Sequence, residues 1–404
     1  MGKFRIKLFL QEINEMKFSQ KFGNINSNIL MDLDEAKKKI EAQGRQVINL
    51  SIGTPDFPPS EQVMQAVSKA FLNAENYKYG MSESPQLVDA VVNWYKRRYN
   101  VELTAENITA VNGSQEGIAH IAFPLCDKGD IVLVPDPCYQ IFSFGPTMAD
   151  VQLEYMPLLK ENNYLIDFDA IPEEVAKKAR VMIVSYPNNP TTAYAGRDFY
   201  ERLVAFAKKY DIIVIHDNAY SELIYDHEPG LSFLSIDGAM DVGIEFNSLS
   251  KTYNLTGLRL SFALGNAEII KRFKAFRSQI DYGICMGVQT AAIEALNGSQ
   301  EIVELNRQEY KKRRDALCNG LNEIGWNVPM TDSTMFTWFP IPPNYNMDDT
   351  KFTFDLLEMA GVLCVPGSSF GKYGKGYVRM ALVQPVEKLE EAIESIKMCG
   401  ILKK

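Results

Sequence analysis

Short apolar runs alternate with longer amphipathic segments across the middle of the chain. Most of these runs are rich in β-branched residues, and several are apolar throughout, which is typical of strands that are covered on both faces. The runs occupy residues 108–111, 131–134, 181–185, 212–216, 244–248 and 260–264. Strands that alternate with helices in this way predict an α/β fold with a mostly parallel, doubly wound sheet.

The pattern differs on either side of this region. Residues 30–44 have apolar positions at helical spacing and end in Gly44, which predicts an amphipathic helix. From about residue 294 the alternation of strands and helices stops, and the sequence predicts one long helix over 294–324. The other predicted elements are strands at 47–52, 334–339, 362–365 and 377–382, helices at 61–72, 87–99, 353–360 and 386–398, and a turn-rich loop at 77–86.

These patterns suggest how the chain is divided. At 404 residues it is too long for one small core. We expect a large domain at 50–293, a small α+β domain at 294–404, and an N-terminal segment at 1–49 that packs on the small domain. Residues 1–10 are basic, but their apolar core is too short for a secretory signal. Met16 offers a second start, and residues 1–15 are interpreted as an extension before it.

Composition and charge argue against several classes of function. The net charge of −9 disfavours nucleic acid and anionic membranes as partners, and no apolar run has transmembrane length. Three histidines without metal-ligand spacing disfavour metal catalysis. Six cysteines without a Cys-x-x-Cys pair indicate reduced thiols in a cytoplasmic enzyme. A basic run on the predicted long helix is expected to be a solvated face: Arg307, Lys311, Lys312, Arg313 and Arg314.

Polar residues follow five of the predicted strands at the point where each strand ends. Ligands of doubly wound sheets bind at the carboxyl ends of the strands, so we expect these residues to form one site. They occupy 112–117, 135–139, 186–192, 217–220 and 250–251. The first set opens a helix with small residues, whose backbone N–H groups are suited to binding a phosphate.

Lys251 is the candidate for covalent chemistry. It lies among Ser, Thr and Asn residues, with no carboxylate within five positions on either side, whereas a surface lysine on a helix usually has one. Burial disfavours the ammonium form, and neutral lysine attacks aldehydes. With the hydroxyls of Ser248 and Ser250 and the guanidinium of Arg259, the stretch suits a phosphate-bearing aldehyde, namely pyridoxal 5′-phosphate (PLP). The alternative is a lysine in a polar loop between two strands.

Four other residues that follow strands have candidate roles toward the same cofactor. Asp217 could pair with the pyridine nitrogen, although a helix N-cap would also explain its position. Tyr220 and Asn189 could bind the ring's phenolic oxygen; the alternatives are a core tyrosine and an Asn-Pro turn. Tyr139 could stack on the ring, or it could be a half-buried aromatic residue of a turn.

Arg379 is a candidate for substrate binding because it lies inside an apolar strand. A buried arginine needs an anion. A substrate carboxylate held by two hydrogen bonds would supply that anion, and the alternative is a buried structural salt bridge.

Together and in this order, these residues resemble the class I/II, fold-type I PLP-dependent aminotransferases over residues 30–401. The matching positions are Gly53-x-Pro55-Asp56, Tyr79, Gly113-Ser114-Gln115, Asp136-Pro137-x-Tyr139, Asn188-Asn189-Pro190-Thr191, Asp217-x-x-Tyr220, Ser248-x-Ser250-Lys251, Arg259 and Arg379. Within this family, residues 114–120, 186–190 and 248–254 are most similar to LL-diaminopimelate aminotransferases and their relatives. The sequence departs from the family at Thr192 and Ser84, where glycine is usual, and its loop after Tyr79 is slightly shorter.

The resemblance implies a role for each residue. Lys251 would hold PLP and shuttle the substrate's Cα proton, and Asp217 would pair with the ring nitrogen. The remaining cofactor contacts would come from Tyr79 (reaching the neighbouring subunit of a homodimer), Ser114, Gln115, Tyr139, Asn189, Tyr220, Ser248, Ser250 and Arg259. The substrate would be bound by Arg379, the backbone of Gly53, Tyr139 and Asn189.

The expected function is therefore ping-pong transamination from an amino acid, such as LL-diaminopimelate or a related one, to a 2-oxo acid that we expect to be 2-oxoglutarate. Three alternatives stay open. The first is a PLP-dependent lyase acting on cysteine conjugates such as cystathionine. The second is a transaminase for alanine, aspartate or aromatic amino acids. The third is a PLP-binding regulatory protein without chemistry, which the short N-terminal segment and the negative charge disfavour.

Overall fold

The computed structural model describes residues 29–403, so the interpretation of residues 1–15 lies outside the described residues. The helices are α1 (Ile29–Glu41), α2 (Glu61–Ala70), α3 (Pro85–Tyr99), α4 (Ser114–Ile121), α5 (Ile141–Met148), α6 (Glu173–Ala176), α7 (Arg197–Tyr210), α8 (Ala239–Val242), α9 (Leu249–Thr252), α10 (Ala267–Arg277), α11 (Met286–Asn297), α12 (Glu301–Glu323), α13 (Asp349–Ala360) and α14 (Val386–Cys399). The strands are β1 (Ile48–Asn49), β2 (Ile108–Val111), β3 (Ile131–Asp136), β4 (Gln152–Pro157), β5 (Ala179–Ser185), β6 (Ile213–Asn218), β7 (Gly243–Ser248), β8 (Ser261–Gly265), β9 (Phe336–Pro340), β10 (Val362–Leu363), β11 (Val365–Pro366) and β12 (Tyr377–Ala381).

The central sheet of residues 29–403 has seven strands in the order β2-β8-β7-β6-β5-β3-β4. Neighbouring strands from β7 to β4 are parallel, whereas β8 runs antiparallel to both β7 and β2. This arrangement confirms the predicted α/β fold with a mostly parallel sheet. The hydrophobic pattern does not predict β4, because this strand lies at the sheet edge and its side chains are largely exposed.

Helices cover both faces of this sheet. On one face α3, α7 and α11 contribute to a core that includes Tyr95, and on the other α4, α5 and α10 contribute to a core that includes Ile118. Adjacent residues of β3 belong to different cores, Val132 to the second and Leu133 to the first. This alternation is the side-chain period of a strand, and it explains why the central strands are apolar along their whole length.

A smaller antiparallel sheet forms from β11, β12 and β9 in the C-terminal part of residues 29–403. Helices α12, α13 and α14 pack around it in a third apolar core, separate from the two cores of the central sheet. Strand β1 pairs in parallel with β10, Ile48 lying opposite Val362. The single strand predicted at 362–365 is wrong, since the chain forms two short strands, β10 and β11, that belong to different sheets.

The long helix predicted over 294–324 is also wrong in extent. It is two helices, α11 and α12, because Gly298 leaves the helical conformation with ψ of −172°. The predicted solvated basic face is wrong for two of its members. Arg313 donates to both carboxylate oxygens of Asp56 at 2.7 and 2.9 Å, and Arg314 lies 2.8 Å from Asp226. Helical periodicity cannot reveal these carboxylates, because they come from distant segments of the chain.

Within residues 29–403, no helix combines the length and the hydrophobicity that a membrane crossing requires. The same residues bring no three His, Cys, Asp or Glu side chains into an arrangement that could hold a metal ion.

Candidate active site

A cavity of about 450 Å³ lies at the carboxyl ends of β5, β6 and β7. Of the predicted site residues, all but Tyr79 line it: Gly53, Ser114, Gln115, Tyr139, Asn189, Asp217, Tyr220, Ser248, Ser250, Lys251, Arg259 and Arg379. The cavity also has lining residues to which the sequence analysis assigned no individual role: Thr54, Phe142, Ser185, Ala219, Thr256, Gly257 and Phe336. The doubly wound sheet therefore brings distant polar loops to one place, as its topology requires.

Lys251 lies on α9, the single helical turn that follows β7. Its Nζ donates a hydrogen bond to the carbonyl oxygen of Gly53 at 2.5 Å. Burial lowers the pKa of Lys251 from 10.5 to about 8, and the positive charges of Arg379 and Arg259 contribute to the shift. The amine is therefore partly neutral in the neutral to mildly alkaline range, which is the form that attacks a carbonyl.

Arg379 is buried and has no carboxylate partner within residues 29–403. Its Nη1 donates to Asn189 Oδ1 at 2.8 Å and its Nη2 to the carbonyl oxygen of Ser51 at 2.9 Å, while Nε lacks a partner in this part of the chain. The rings of Phe336 and Phe370 lie 4.2 and 4.8 Å from the guanidinium carbon. Burial lowers the pKa of Arg379 from 12.5 to about 10. The described part of the chain therefore gives Arg379 no structural salt bridge, and the site favours an added anion.

Asp217 lies inside β6 and not at a helix start, so the N-cap alternative is wrong. The residue is buried, and its Oδ1 has no hydrogen-bond partner in the described structure. Burial raises the pKa of Asp217 from 3.8 to about 7, and the negative charge of Glu245 contributes to this shift. A positively charged N–H group placed against Asp217 would be stabilised by its carboxylate.

A buried polar network is formed around His216, the residue that precedes Asp217 in β6. The sequence analysis did not predict this network. His216 Nδ1 is 3.0 Å from Glu245 Oε2, and both side chains are fully buried. Tyr95 Oη donates to Glu245 Oε1 at 2.8 Å and the Phe233 N–H donates to Oε2 at 2.8 Å. A signal was available, since a histidine and a glutamate inside apolar strands need partners.

The part of the cavity wall around Gly113 and Arg259 is basic and rich in hydroxyl groups. Gly113 has φ of 90° just before α4, and a Cβ at this position would lie 2.3 Å from Arg259 Nη2. The guanidinium of Arg259 therefore rests directly on Gly113, where its Nη1 also donates to the Thr256 carbonyl oxygen at 2.9 Å. On the neighbouring loop, Ser248 Oγ accepts a hydrogen bond from the Ser250 N–H at 3.2 Å, which caps α9. This arrangement of cation, hydroxyls and helix start suits a phosphate.

The loop at 186–192 is held in place by Asn188. Its Oδ1 accepts hydrogen bonds from the N–H and the hydroxyl of Thr191 at 3.1 and 2.7 Å. The next residue, Asn189, can then reach Arg379 from the cavity wall. Thr192 adopts φ of 62°, a left-handed conformation in which glycine is unstrained. The chain forms this turn with a threonine in the left-handed conformation.

Tyr79 does not line the cavity. Its side chain is 76% exposed, and its ring centroid lies 4.9 Å from that of Tyr282. Ser84, the other departure from the family, is the N-cap of α3. Its hydroxyl accepts the Leu87 N–H at 3.2 Å, so α3 starts slightly before the predicted residue 87.

Comparison with known proteins gives consistent results. The family model for aminotransferase class I and II matches residues 45–396. LL-diaminopimelate aminotransferases from Dehalococcoides mccartyi and Aquifex aeolicus are 40% and 41% identical to this chain, each covering 94% of it and 98% of the relative. The substrate-bound structure of BacF from Bacillus subtillis is 36% identical, with a TM-score of 0.91 over 95% of this chain and 98% of the other. A probable N-succinyldiaminopimelate aminotransferase from Thermus thermophilus is 34% identical, with a TM-score of 0.86 over 92% of this chain and 100% of the other.

Proposed function

This chain belongs to the class I and II aminotransferases, and on that basis we propose that it uses PLP to transfer an amino group from an amino acid to a 2-oxo acid. The observation that carries the proposal is the buried amine of Lys251, whose pKa is lowered to about 8 in a cavity that also contains Asp217 and Arg379. We further propose LL-diaminopimelate or a close relative of it as the donor and 2-oxoglutarate as the acceptor. The names of relatives at about 40% identity support this donor.

The residues of the cavity fit PLP. Among residues 29–403, Asp217 Oδ1 is a buried acceptor without a hydrogen-bond partner, which suits a protonated ring nitrogen. At the basic end, Gly113 leaves room for Arg259 and thus for a phosphate. The contacts proposed for the cofactor are Asp217 to the ring nitrogen, Asn189 and Tyr220 to the ring oxygen, Tyr139 to the ring face, and Ser114, Gln115, Ser248, Ser250 and Arg259 to the phosphate.

The chain's own residues account for the proton transfer. When bound, PLP supplies an aldehyde for covalent attachment and an electron sink for the substrate's Cα–H bond. Lys251 Nζ would remove the Cα proton and deliver it to the cofactor carbon that carried the aldehyde, a transfer for which its lowered pKa is suited. Arg379 binds the α-carboxylate and thereby fixes which substituent of Cα faces Lys251. Both half-reactions use this one set of residues, so we propose ping-pong kinetics.

A panel of amino donors with 2-oxoglutarate tests this function. We expect LL-diaminopimelate to give glutamate in stoichiometric amount, with parallel lines in double-reciprocal plots. Release of ammonia and pyruvate from cystathionine without any oxo acid would show the lyase alternative instead. Glutamate formed only from alanine, aspartate or aromatic donors would refute the proposed donor and keep the transaminase.

We also propose a homodimer in which Tyr79 reaches the partner's phosphate site. Support comes from several exposed apolar side chains in the two segments that carry Tyr79 and Tyr282, whose rings are in contact; exposed apolar side chains of this kind occur at protein interfaces. These side chains are Leu72, Tyr77, Tyr79, Met81, Ile280 and Tyr282. Because two copies would use the same side chains, the contact would have twofold symmetry.

Mixing two defective variants tests the shared site. If Tyr79 serves the partner, refolding Tyr79→Ala together with Lys251→Ala produces heterodimers with one intact site, and we expect about a quarter of the wild-type activity. The measurement is specific activity after mixing, with each variant alone as the control. Activity no higher than the average of the two separate variants would contradict the shared site.

Gly113→Ala is expected to weaken PLP binding by about tenfold, since the new methyl would displace the Arg259 guanidinium. The measurement is the dissociation constant of PLP from fluorescence or absorbance titration. Gly129→Ala is the matched control, because Gly129 has φ of 89° and an added Cβ there would have no atom of the described structure within 4 Å. Equal PLP affinities of the two variants would contradict the assignment of the phosphate end.

The pH dependence of PLP capture should report the neutral form of Lys251. Since burial lowers the pKa to about 8, the neutral fraction rises about tenfold per pH unit below that value and then levels off. We expect the rate of capture by the cofactor-free protein, followed by absorbance, to reach a plateau by about pH 9. A rate that keeps rising toward pH 10.5, as for an ordinary lysine, would contradict the lowered pKa.

A further inference from the structure

The carboxylate of Asp136 joins the end of the central sheet to a loop of the C-terminal part of the chain. Its Oδ2 accepts the Lys372 N–H at 3.0 Å and its Oδ1 accepts the Tyr373 N–H at 3.1 Å. Asp136 is buried and takes no part in the proton transfer derived above. Gly371 permits this close approach, because its φ is 138° and a Cβ there would lie 2.1 Å from Asp136 Oδ1.

The residues that follow Asp136 hold the same loop. The Cys138 N–H donates to the carbonyl oxygen of Phe370 at 2.8 Å, and Gln140 Nε2 donates to that of Ser369 at 3.3 Å. The ring of Phe370 lies 4.8 Å from the guanidinium carbon of Arg379. The end of β3 therefore contacts the loop that covers one side of the Arg379 guanidinium.

We propose that Asp136 is a positioning residue for substrate binding: it fixes the loop at 369–373, and through Phe370 the guanidinium of Arg379, relative to the sheet that carries Lys251. The inference rests on the proposed function, since it needs Arg379 to bind the substrate carboxylate. Two N–H groups on consecutive residues, each paired with its own oxygen, fix the direction of the loop as well as its distance.

A second carboxylate, that of Asp349, binds the residues that flank this loop. The comparison shows which part of the loop's position depends on Asp136. Asp349 accepts the Ser368 hydroxyl at 2.6 Å, the Ser368 N–H at 3.2 Å and the Gly376 N–H at 2.7 Å. These bonds tie the loop to α13, which packs beside it. The bonds of Asp136 tie the loop to β3 of the central sheet. Loss of Asp136 should therefore leave the loop folded and alter its position relative to Lys251.

Asp136→Asn tests the role with little change in volume. The amide keeps one acceptor oxygen and turns an NH2 group toward the second backbone N–H, so one of the two bonds is lost. We expect KM for both the amino donor and 2-oxoglutarate to rise about tenfold, equivalent to about 1.4 kcal/mol, because both carry a carboxylate to Arg379. We expect kcat and the PLP dissociation constant to stay within about twofold of wild type.

Three further variants make the result decisive. Asp348→Asn, at the exposed N-cap of α13, removes the same charge without touching the loop and should leave both KM values unchanged. Gly371→Ala should reproduce the KM increase by displacing the Asp136 carboxylate, with a urea unfolding curve to show that it is folded. Arg379→Lys should raise both KM values, and if it does not, the proposed function itself has failed.

A normal KM in Asp136→Asn beside a raised KM in Arg379→Lys would overturn the role of Asp136 alone. A fall in kcat or in PLP affinity that accounts for the whole loss of activity would also overturn it, because a general loss of structure predicts that pattern. A selective rise in KM in both Asp136→Asn and Gly371→Ala would establish the positioning role.

Discussion

Lys251→Ala is expected to lower kcat by roughly 10⁴-fold or more, because the variant would lose both the amine proposed to hold the cofactor and the base proposed to move the Cα proton. No other lysine of residues 29–403 lines the cavity, so the described chain offers no second amine for these two roles. The measurement is steady-state turnover with saturating PLP, together with the rate of the first half-reaction in a single turnover.

The control for this prediction is Lys271→Ala, which removes an exposed lysine of α10 that lies 3.8 Å from Glu268. Its activity and PLP content should match the wild-type protein. Residual activity of Lys251→Ala within tenfold of wild type would show that another group carries the chemistry.

Arg379→Ala is expected to reduce kcat/KM by about 10²- to 10³-fold, which corresponds to roughly 3–4 kcal/mol for the loss of one partner of a buried charge pair. Most of the change should appear in KM, because the carboxylate is held in the ground state as well as in the transition state. The measurement is the kinetics of amino donors and of 2-oxoglutarate with the PLP-loaded variant.

Two comparisons distinguish a loss of carboxylate binding from a general disturbance of the cavity. PLP affinity of Arg379→Ala should change little, since the proposed cofactor contacts are made by other residues. Amines that lack a carboxylate should lose nothing on the substitution, whereas amino acids should lose most of their reactivity. An equal loss for both kinds of substrate would show that Arg379 supports the fold of the cavity and does not bind the carboxylate.

Much of the fold could be predicted because the central strands are apolar on both faces. Strand β5 is an example, since it is buried along nearly its whole length and its sequence has no helical period. Strand β4 could not be found in this way, because an edge strand with exposed side chains lacks the apolar run. The break between α11 and α12 was missed because helical residues lie on both sides of Gly298.

The sequence could indicate that the candidate residues would lie close together, for a topological reason. Lys251, Asp217 and Asn189 are far apart in sequence, but parallel strands bring their ends together. The sequence could not show that Arg379 helps to lower the pKa of Lys251, because that effect depends on the distance between side chains of α9 and β12, which are far apart in the chain. The assigned roles and the domain limits at 49 and 293 stay predictions.

Contacts with distant segments of the chain determine the environments of three residues that the sequence did not reveal. Arg313 looked like a solvated residue in the helical pattern, but Asp56 reaches it from the loop before α2. Phe336 could not be recognised as a cavity residue, because a phenylalanine in an apolar strand is more often part of a core. The role of Asp136 depends on two backbone N–H groups in a distant loop, which no spacing within the motif indicates.

Borohydride reduction of the PLP-loaded protein, followed by peptide mapping, tests directly whether the amine of Lys251 binds the cofactor. Reduction fixes the bond between an amine and the cofactor aldehyde, so the labelled peptide identifies the amine. We expect one equivalent of label per chain, located on Lys251, and we expect this label to be lost in Lys251→Ala. An unlabelled chain, or a label on another lysine with Lys251 unmodified, would contradict the account.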